Sequence, residues 1–451
     1  MARQAAAAVA AAGIACATPA SERAARSDVA TVTEMYPVAE TPGVRAAPGQ
    51  EATLAEYLRF AMLNNPRIEA AYFAWVAEVE AITPARSLPD PRLTLESDIA
   101  DTVMSLMSGL MIDLPGPGKA RLAGEVQAAK SRAVYFAFEQ EVLRTALALK
   151  TAYYRAHFLE ESIRVQRATL ELLSELERLA GLQNAAGRAT LQDVLRSQIA
   201  CDQVRTQIEN LEDSRSTVAA ELKAALGLGP ADADPPLPSR FERSREELRA
   251  DDLLTLAMER NPGLRAMEQD VRRAEAELAL AARSRVPDFS IGIEVDSEAD
   301  PTVFTPQAEI SLPIWRAKLR AQIAAAQASK RSAEARLDAE QVKLAAELAA
   351  MLYTYREAGR NEALLRDSLI PTARRSLEAA RAGYVNSRSQ FLDVIDAQRS
   401  LLEFELARVD AGTQRELSLA ALSLAIAGVA PAGAPILPER PGASSSKRSR
   451  P

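Results

Sequence analysis

The chain has 451 residues, nearly half of them apolar but only 5% aromatic, and a formal net charge of −7. Two cysteines, Cys16 and Cys201, and a single histidine, His157, exclude a disulfide framework, a Cys-based metal site and any His cluster. The mild acidity gives no support to nucleic-acid binding, and abundant Ala favours extended helical packing over one thick core.

At the N-terminus, Arg3 precedes the apolar run 5–14, and Gly13-Ile14-Ala15-Cys16 follows. Residues 1–16 read as a signal peptide of lipoprotein type, with Cys16 as the acylated residue. The competing readings are an ordinary secretory signal cut near Ala15 or Ala17, or a misassigned start. Residues 17–52 show no sustained period and read as an irregular lead-in. No run of about eighteen apolar residues occurs, so a transmembrane helix is not expected.

A first repeat is expected over 53–227. A short helix ends at Asn65-Pro66, because the residue before Pro avoids the helical region, and a second starts at Pro66 and runs to Arg86. Strands follow at 92–99 and 105–114, where apolar and polar residues alternate, joined by a hairpin loop over 100–104. A helix over 119–186 would be roughly 100 Å long, far beyond a globular helix. Its stripe of Phe138, Val142, Leu149, Ala152, Ala156, Leu159, Ile163, Leu170 and Leu173 implies coiled-coil-like packing. After a turn at Gly187, a return helix over 190–226 is expected to start on Thr190 as N-cap.

A Pro-rich linker, 228–245, separates this from a second repeat over 246–430. LAMERNPGLRA at 256–266 echoes FAMLNNPRIEA at 60–70, and VPDFSIGIE at 286–294 echoes LPDPRLTLE at 88–96. Strands are expected at 289–296 and 303–312, a long helix over 318–386, and a return helix over 389–428 with Ser389 as N-cap. SRSQFLDVIDAQ at 387–398 echoes GRATLQDVLRSQ at 187–198, so Asp393 and Asp193 occupy matching places. The tail, 431–451, reads as disordered.

Four strands of bilayer-crossing length leave two open edges, which hydrocarbon does not tolerate. The chain therefore either pairs with copies of itself, two giving eight strands and three giving twelve, or uses its hairpins outside a membrane. The expected fold class is mainly α with a small membrane β-barrel, internally duplicated, each protomer giving four strands and long helices of an α-helical barrel. A helix-walled channel and a pore-free periplasmic coiled-coil scaffold are the two readings of that plan. No constellation of nucleophile, base and metal supports an enzyme, and no cofactor is expected.

NNP and RNP opening the two halves, SLPDPRL, LPGPGK and FLDVIDAQR occur in register, and together they resemble the TolC family of outer-membrane efflux and secretion channels. The resemblance covers Thr53 to about Ala430. It implies a homotrimer with a twelve-stranded barrel in the outer membrane and a helical barrel in the periplasm. It also implies a periplasmic adaptor and an inner-membrane pump as partners. The SLPDP and PGPGK forms and Cys16 lean toward the branch serving RND-type drug and heavy-metal pumps; a type I secretion channel is the alternative.

By that resemblance Asp393 and Asp396, with Asp193 as a further candidate, line the closed aperture and favour cations. All three also fit as acids near a helix N-terminus. The tips Gly187, Arg188, Ala189, Thr190 and Ser387, Arg388, Ser389, Gln390 would dock the adaptor. His157 reads as a wall residue and Cys201 as helix packing. Met104, Met107 and Met111 read as lumen- or lipid-facing strand residues, not a copper site. Phe289, Phe304 and Trp315 are candidates for an interfacial girdle, or for strand and turn packing.

Overall fold

The computed structural model describes residues 18–35, 47–100, 103–239, 242, 250–296, 301–386 and 388–426. The signal segment with Cys16, the tail and Ser387 lie outside the described residues. Among the described residues helices dominate, with four strands between them. Two compact units are present, residues 1–35, 70–140 and 262–342 in one and 36–69, 141–261 and 343–451 in the other. Each unit draws from both sequence repeats.

In the first unit, the N-terminal helix α1, Ala20–Met35, replaces the irregular lead-in expected from sequence. Tertiary contacts account for it. Glu22 is buried and accepts hydrogen bonds from Thr83 (2.6 Å), Arg86 (2.5 Å) and Arg26 (3.2 Å), and Arg26 also reaches Glu80. Val32 is fully enclosed. Burial acts to raise the Glu22 pKa, but the hydrogen bonds from Thr83, Arg86 and Arg26 outweigh it and hold the carboxyl below its ordinary value. A depressed carboxylate adds stability above its unfolded value and loses it as pH falls through the lower folded one. Acidification below about 4.5 is therefore expected to loosen α1 in the native chain. Limited proteolysis across a pH series checks this. Glu22→Gln should leave α1 equally cleavable at neutral and acid pH.

The expected single helix over 66–86 is two, α3 (Pro66–Glu80) and α4 (Ile82–Arg86), preceded by α2 (Leu54–Asn64). Pro84 has no N–H for the Glu80 carbonyl, so the helix cannot run through. Trp75 of α3 is buried against Tyr135 (ring centroids 4.9 Å apart) and stacked on Phe138 (6.0 Å).

The strands β1 (Arg92–Ala100), β2 (Val103–Leu114), β3 (Asp288–Asp296) and β4 (Val303–Ser311) form one antiparallel sheet in the order β1-β2-β3-β4. The expected loop over 100–104 is shorter, because the ladder closes as far as Ala100 opposite Val103. The two repeats join where Leu114 faces Phe289 and Leu110 faces Ile293. The LPGPGK motif works at this joint. A Cβ on Gly116 would lie 2.5 Å from the Pro287 carbonyl oxygen, so only Gly fits. Its N–H (2.6 Å) and Lys119 Nζ (2.7 Å) both donate to Asp288.

Helix α5 (Lys119–Ala185) runs unbroken for 67 residues, and its predicted apolar stripe is buried at Phe138, Val142, Leu149, Ala152, Ala156, Leu159, Ile163 and Leu173. Helix α6 (Leu191–Leu226) returns from the first tip and ends at Gly227, whose φ of 77° is left-handed. The Asn-Pro openings have a shared use in the second unit. Asn65 Nδ2 donates to the Ala225 carbonyl and Asn261 Nδ2 to the Ala425 carbonyl. Helices α7 (Ala250–Arg260) and α8 (Pro262–Arg283) open the second repeat.

The long helix expected over 318–386 is interrupted. It comprises α9 (Arg316–Leu364), a π-helical segment Leu365–Leu369 and α10 (Ile370–Val385). Pro371 cannot donate a backbone N–H, and the helix widens into the π turn immediately before it. Helix α11 (Phe391–Ile426) returns from the second tip. Among the described residues, no helix is long and apolar enough to cross a membrane.

Candidate functional site

At the first tip, α5 closes with the Arg188 N–H donating to the Gln183 carbonyl (2.8 Å), and Gly187 at φ 72° makes the turn. Thr190 then caps α6. Its hydroxyl accepts from the Asp193 N–H (3.2 Å) while the Asp193 carboxylate accepts from the Thr190 N–H (3.1 Å), a complete capping box.

The second tip uses the same plan with different residues. The Arg388 N–H donates to the Gly383 carbonyl (2.7 Å). Gln390, not Ser389, precedes α11, and its N–H donates to Asp393 Oδ2 (2.9 Å). Ser389 as N-cap is thus corrected. Its hydroxyl turns back to donate to the Ala380 carbonyl (3.0 Å), and a Cβ on Gly383 would lie 2.6 Å from that hydroxyl. The side chain is committed to the outgoing helix and cannot serve the incoming one.

Both tips stand on one apolar core that includes Leu176, Ala180, Cys201, Tyr384, Phe391 and Val394. The Tyr384 and Phe391 rings meet edge to face at 5.3 Å. Burial and the nearby Asp193 carboxylate push the Tyr384 hydroxyl up. That hydroxyl is enclosed without a hydrogen-bond partner among the described residues. Asp193 of the first tip thus faces Tyr384 of the second, a pairing no sequence motif pointed to. Cys201 is buried, and burial raises its thiol pKa, as does Glu177.

The three candidate acids differ. Asp193 is half-buried in a capping box. Asp393 is exposed and holds the Gln390 N–H. Asp396 is exposed, and its side chain has no partner among the described residues. Arg188, Arg388, Thr190 and Gln390 are exposed at the tips. A row missed from sequence flanks them: Leu191, Leu195 and Ile199 are exposed at one-turn intervals on α6. Apolar spacing of four residues was its signal. Among the described residues, no group of three or more His, Cys, Asp or Glu side chains could hold a metal ion.

The sheet in the other unit has two unlike faces. Leu93, Leu110 and Ile293 stand in register on one, as do Ile112 with Ile291 and Leu114 with Phe289 and Ile310. Leu93, Leu95, Ile291, Phe304 and Ile310 are more than half exposed there, and Trp315 follows β4 with 72% exposed. The opposite face carries Asp113, Ser290 and Glu309 in register, with Arg92 donating twice to Asp113 (2.7 and 2.8 Å). Met107 and Met111 belong to this polar face, opposite Asp296 and Gly292. An exposed apolar face backed by a polar one is the pattern of a membrane barrel wall.

Residues 253–428 match the family model of the outer membrane efflux protein. The chain is 25% identical, over 392 residues, to the cobalt-zinc-cadmium resistance protein CzcC of Cupriavidus metallidurans, covering 84% of this chain and 89% of that one. It is 27% identical to the outer membrane protein OprJ of Pseudomonas aeruginosa over 70% of this chain and 66% of that one. Among solved structures, the outer membrane protein VceC of Vibrio cholerae aligns with a TM-score of 0.72 at 18% identity, covering 84% of this chain and 96% of that one. The open-state MtrE outer membrane channel of Neisseria gonorrhoeae aligns at 0.71 and 18% identity, covering 87% and 97%. The four-stranded sheet, the capped tips and these relatives agree: residues 253–428 carry the pattern of the outer membrane efflux protein family, and over most of its length the chain is similar to outer-membrane proteins of that kind.

Proposed function

We propose that the chain is the outer-membrane channel subunit of a tripartite efflux system, a passive exit duct fed by an inner-membrane pump through a periplasmic adaptor. The carrying observation is the sheet, apolar and exposed on one face, polar on the other, with β1 and β4 as its edge strands among the described residues. Hydrocarbon does not tolerate open edges, so the sheet closes with copies of itself, and three copies give twelve strands. A scaffold without a pore has no use for such a face. CzcC is named for resistance to metal ions, which favours efflux over protein secretion as the task of this chain.

In this reading the protein performs no chemistry. Asp396 and Asp393 line the constriction, with Asp193 buttressing it against Tyr384. Gly187, Arg188, Ala189 and Thr190, with Ser387, Arg388, Ser389 and Gln390, receive the adaptor, and Cys16 carries the lipid. Detergent-purified protein is expected to run as a trimer and to conduct ions in planar bilayers. A detergent-independent monomer without conductance would sink the proposal.

A further inference from the structure

His157, Glu161 and Arg164 follow one another on one face of α5. With Arg366 of the π segment and Arg408 and Thr413 of α11, they line a cavity of about 410 Å³. Arg164 donates through Nε (3.1 Å) and Nη2 (2.6 Å) to Glu161. Arg366 donates through the same two atoms, at 2.7 and 2.9 Å, to Asp367. Each guanidinium is thereby held by one edge and keeps Nη1 without an acceptor among the described residues. Arg408 is half-buried and makes no ion pair or hydrogen bond among the described residues.

The hydrogen bond from Arg164, followed by the fields of Arg164, His157 and Arg408, keeps the Glu161 carboxyl below its ordinary range. Glu405, three residues before Arg408, pairs with Arg374 at 2.8 Å, and its field also reaches Arg164, as that of Glu362 reaches Arg366. Three guanidiniums from three segments thus face two adjacent carboxylates, Glu161 and Asp367, each already engaged. Among the residues that line the cavity, three guanidiniums stand against the single carboxylate of Glu161, an excess of positive charge that favours an anion. Fixed arginines with free N–H edges suit the oxygens of a phosphate-type group.

We propose that this cavity binds a multivalent oxyanion of the phosphate type, clamped between α5, the π segment and α11. The π turn supplies one of its three arginines, as such turns often do at functional sites.

Calorimetric titration of the full-length, detergent-purified protein with inorganic phosphate and with pyrophosphate tests this, against sodium chloride at matched ionic strength. Saturable binding of one anion per chain is expected, weakened about tenfold in Arg408→Gln by loss of a charge-assisted hydrogen bond. Arg205→Gln, at an exposed surface pair, should bind as wild type does. Should Arg408→Gln fail to fold, Arg366→Gln, at an exposed position, carries the same expected weakening. Heats no greater than those of chloride, or binding unchanged in both pocket variants, would overturn the site.

Discussion

Asp396→Asn is expected to reduce the cation preference of the reconstituted channel several-fold while leaving its thermal stability unchanged. The side chain is exposed and has no partner among the described residues, so no folded contact is lost with its charge. Two unit charges about 4 Å apart interact by ~1 kcal/mol even in water, enough to shift the local cation concentration several-fold. Asp393 is a different case, because its carboxylate also holds the Gln390 N–H at 2.9 Å. Asp393→Ala should therefore destabilise the tip by about 1 kcal/mol, the usual cost of a lost helix cap, in addition to any change in selectivity. Asp393→Asn keeps an acceptor, so the double Asn variant isolates charge from capping. Reversal potentials across a salt gradient, taken at low ionic strength where screening is weakest, make the measurement. If the double variant leaves them unmoved, the acids do not form the constriction.

Trp75→Ala is expected to cost about 3–5 kcal/mol, the largest single-residue stability loss foreseen in the first unit. Only 1% of Trp75 is exposed, and it fits among Tyr72, Tyr135 and Phe138, so truncation leaves a cavity the long helix cannot collapse into. Tyr72 of the same cluster also meets the Thr33 hydroxyl of α1 at 2.6 Å. Losing Trp75 should therefore expose α1 to protease as well as lower the melting temperature by roughly 10 °C. Trp75→Phe, which keeps a stacking ring, should lose far less. An equal loss in both variants would mean that the indole is not packed as described.

Much of this architecture was legible because it depends on local chemistry repeated twice. Alternation over 92–99 and 289–296 predicts strands, since side chains alternate faces wherever backbone is extended. Asn-Pro at 65–66 and 261–262 predicts helix boundaries, since Pro restricts its predecessor. Both signals act within a few residues, so no distant contact can erase them. The candidate acids were legible in the same way, as short polar residues just inside a helix start.

Where a residue's role depended on something distant in sequence, local chemistry misled. Residues 20–35 read as irregular among Ala, Thr and charged residues, yet fold as α1, whose covered side, from Glu22 to Val32, is held where Glu22 finds Thr83 and Arg86 sixty positions away. Ser389 has the side chain of an N-cap but belongs to the helix behind it, because Gly383 leaves room for its hydroxyl to turn back. The helix over 318–386 is interrupted by the π turn before Pro371, and with it Arg366 joins a cavity shared with α5 and α11.

The sequence by itself determined the duplication, the alternation of long helices with hairpins and the position of the two tips, because periodicity, Pro, Gly and capping chemistry act over a few residues. Tertiary structure alone decided that the two hairpins share one sheet through the β2–β3 pairing, which leaves β1 and β4 at its edges among the described residues. It alone separated Asp396, exposed and unpaired among the described residues, from Asp393 and Asp193, tied into their caps. Carboxylates with one spacing on one helix are alike until the hydrogen-bond donors of a folded chain arrive beside some of them and not others.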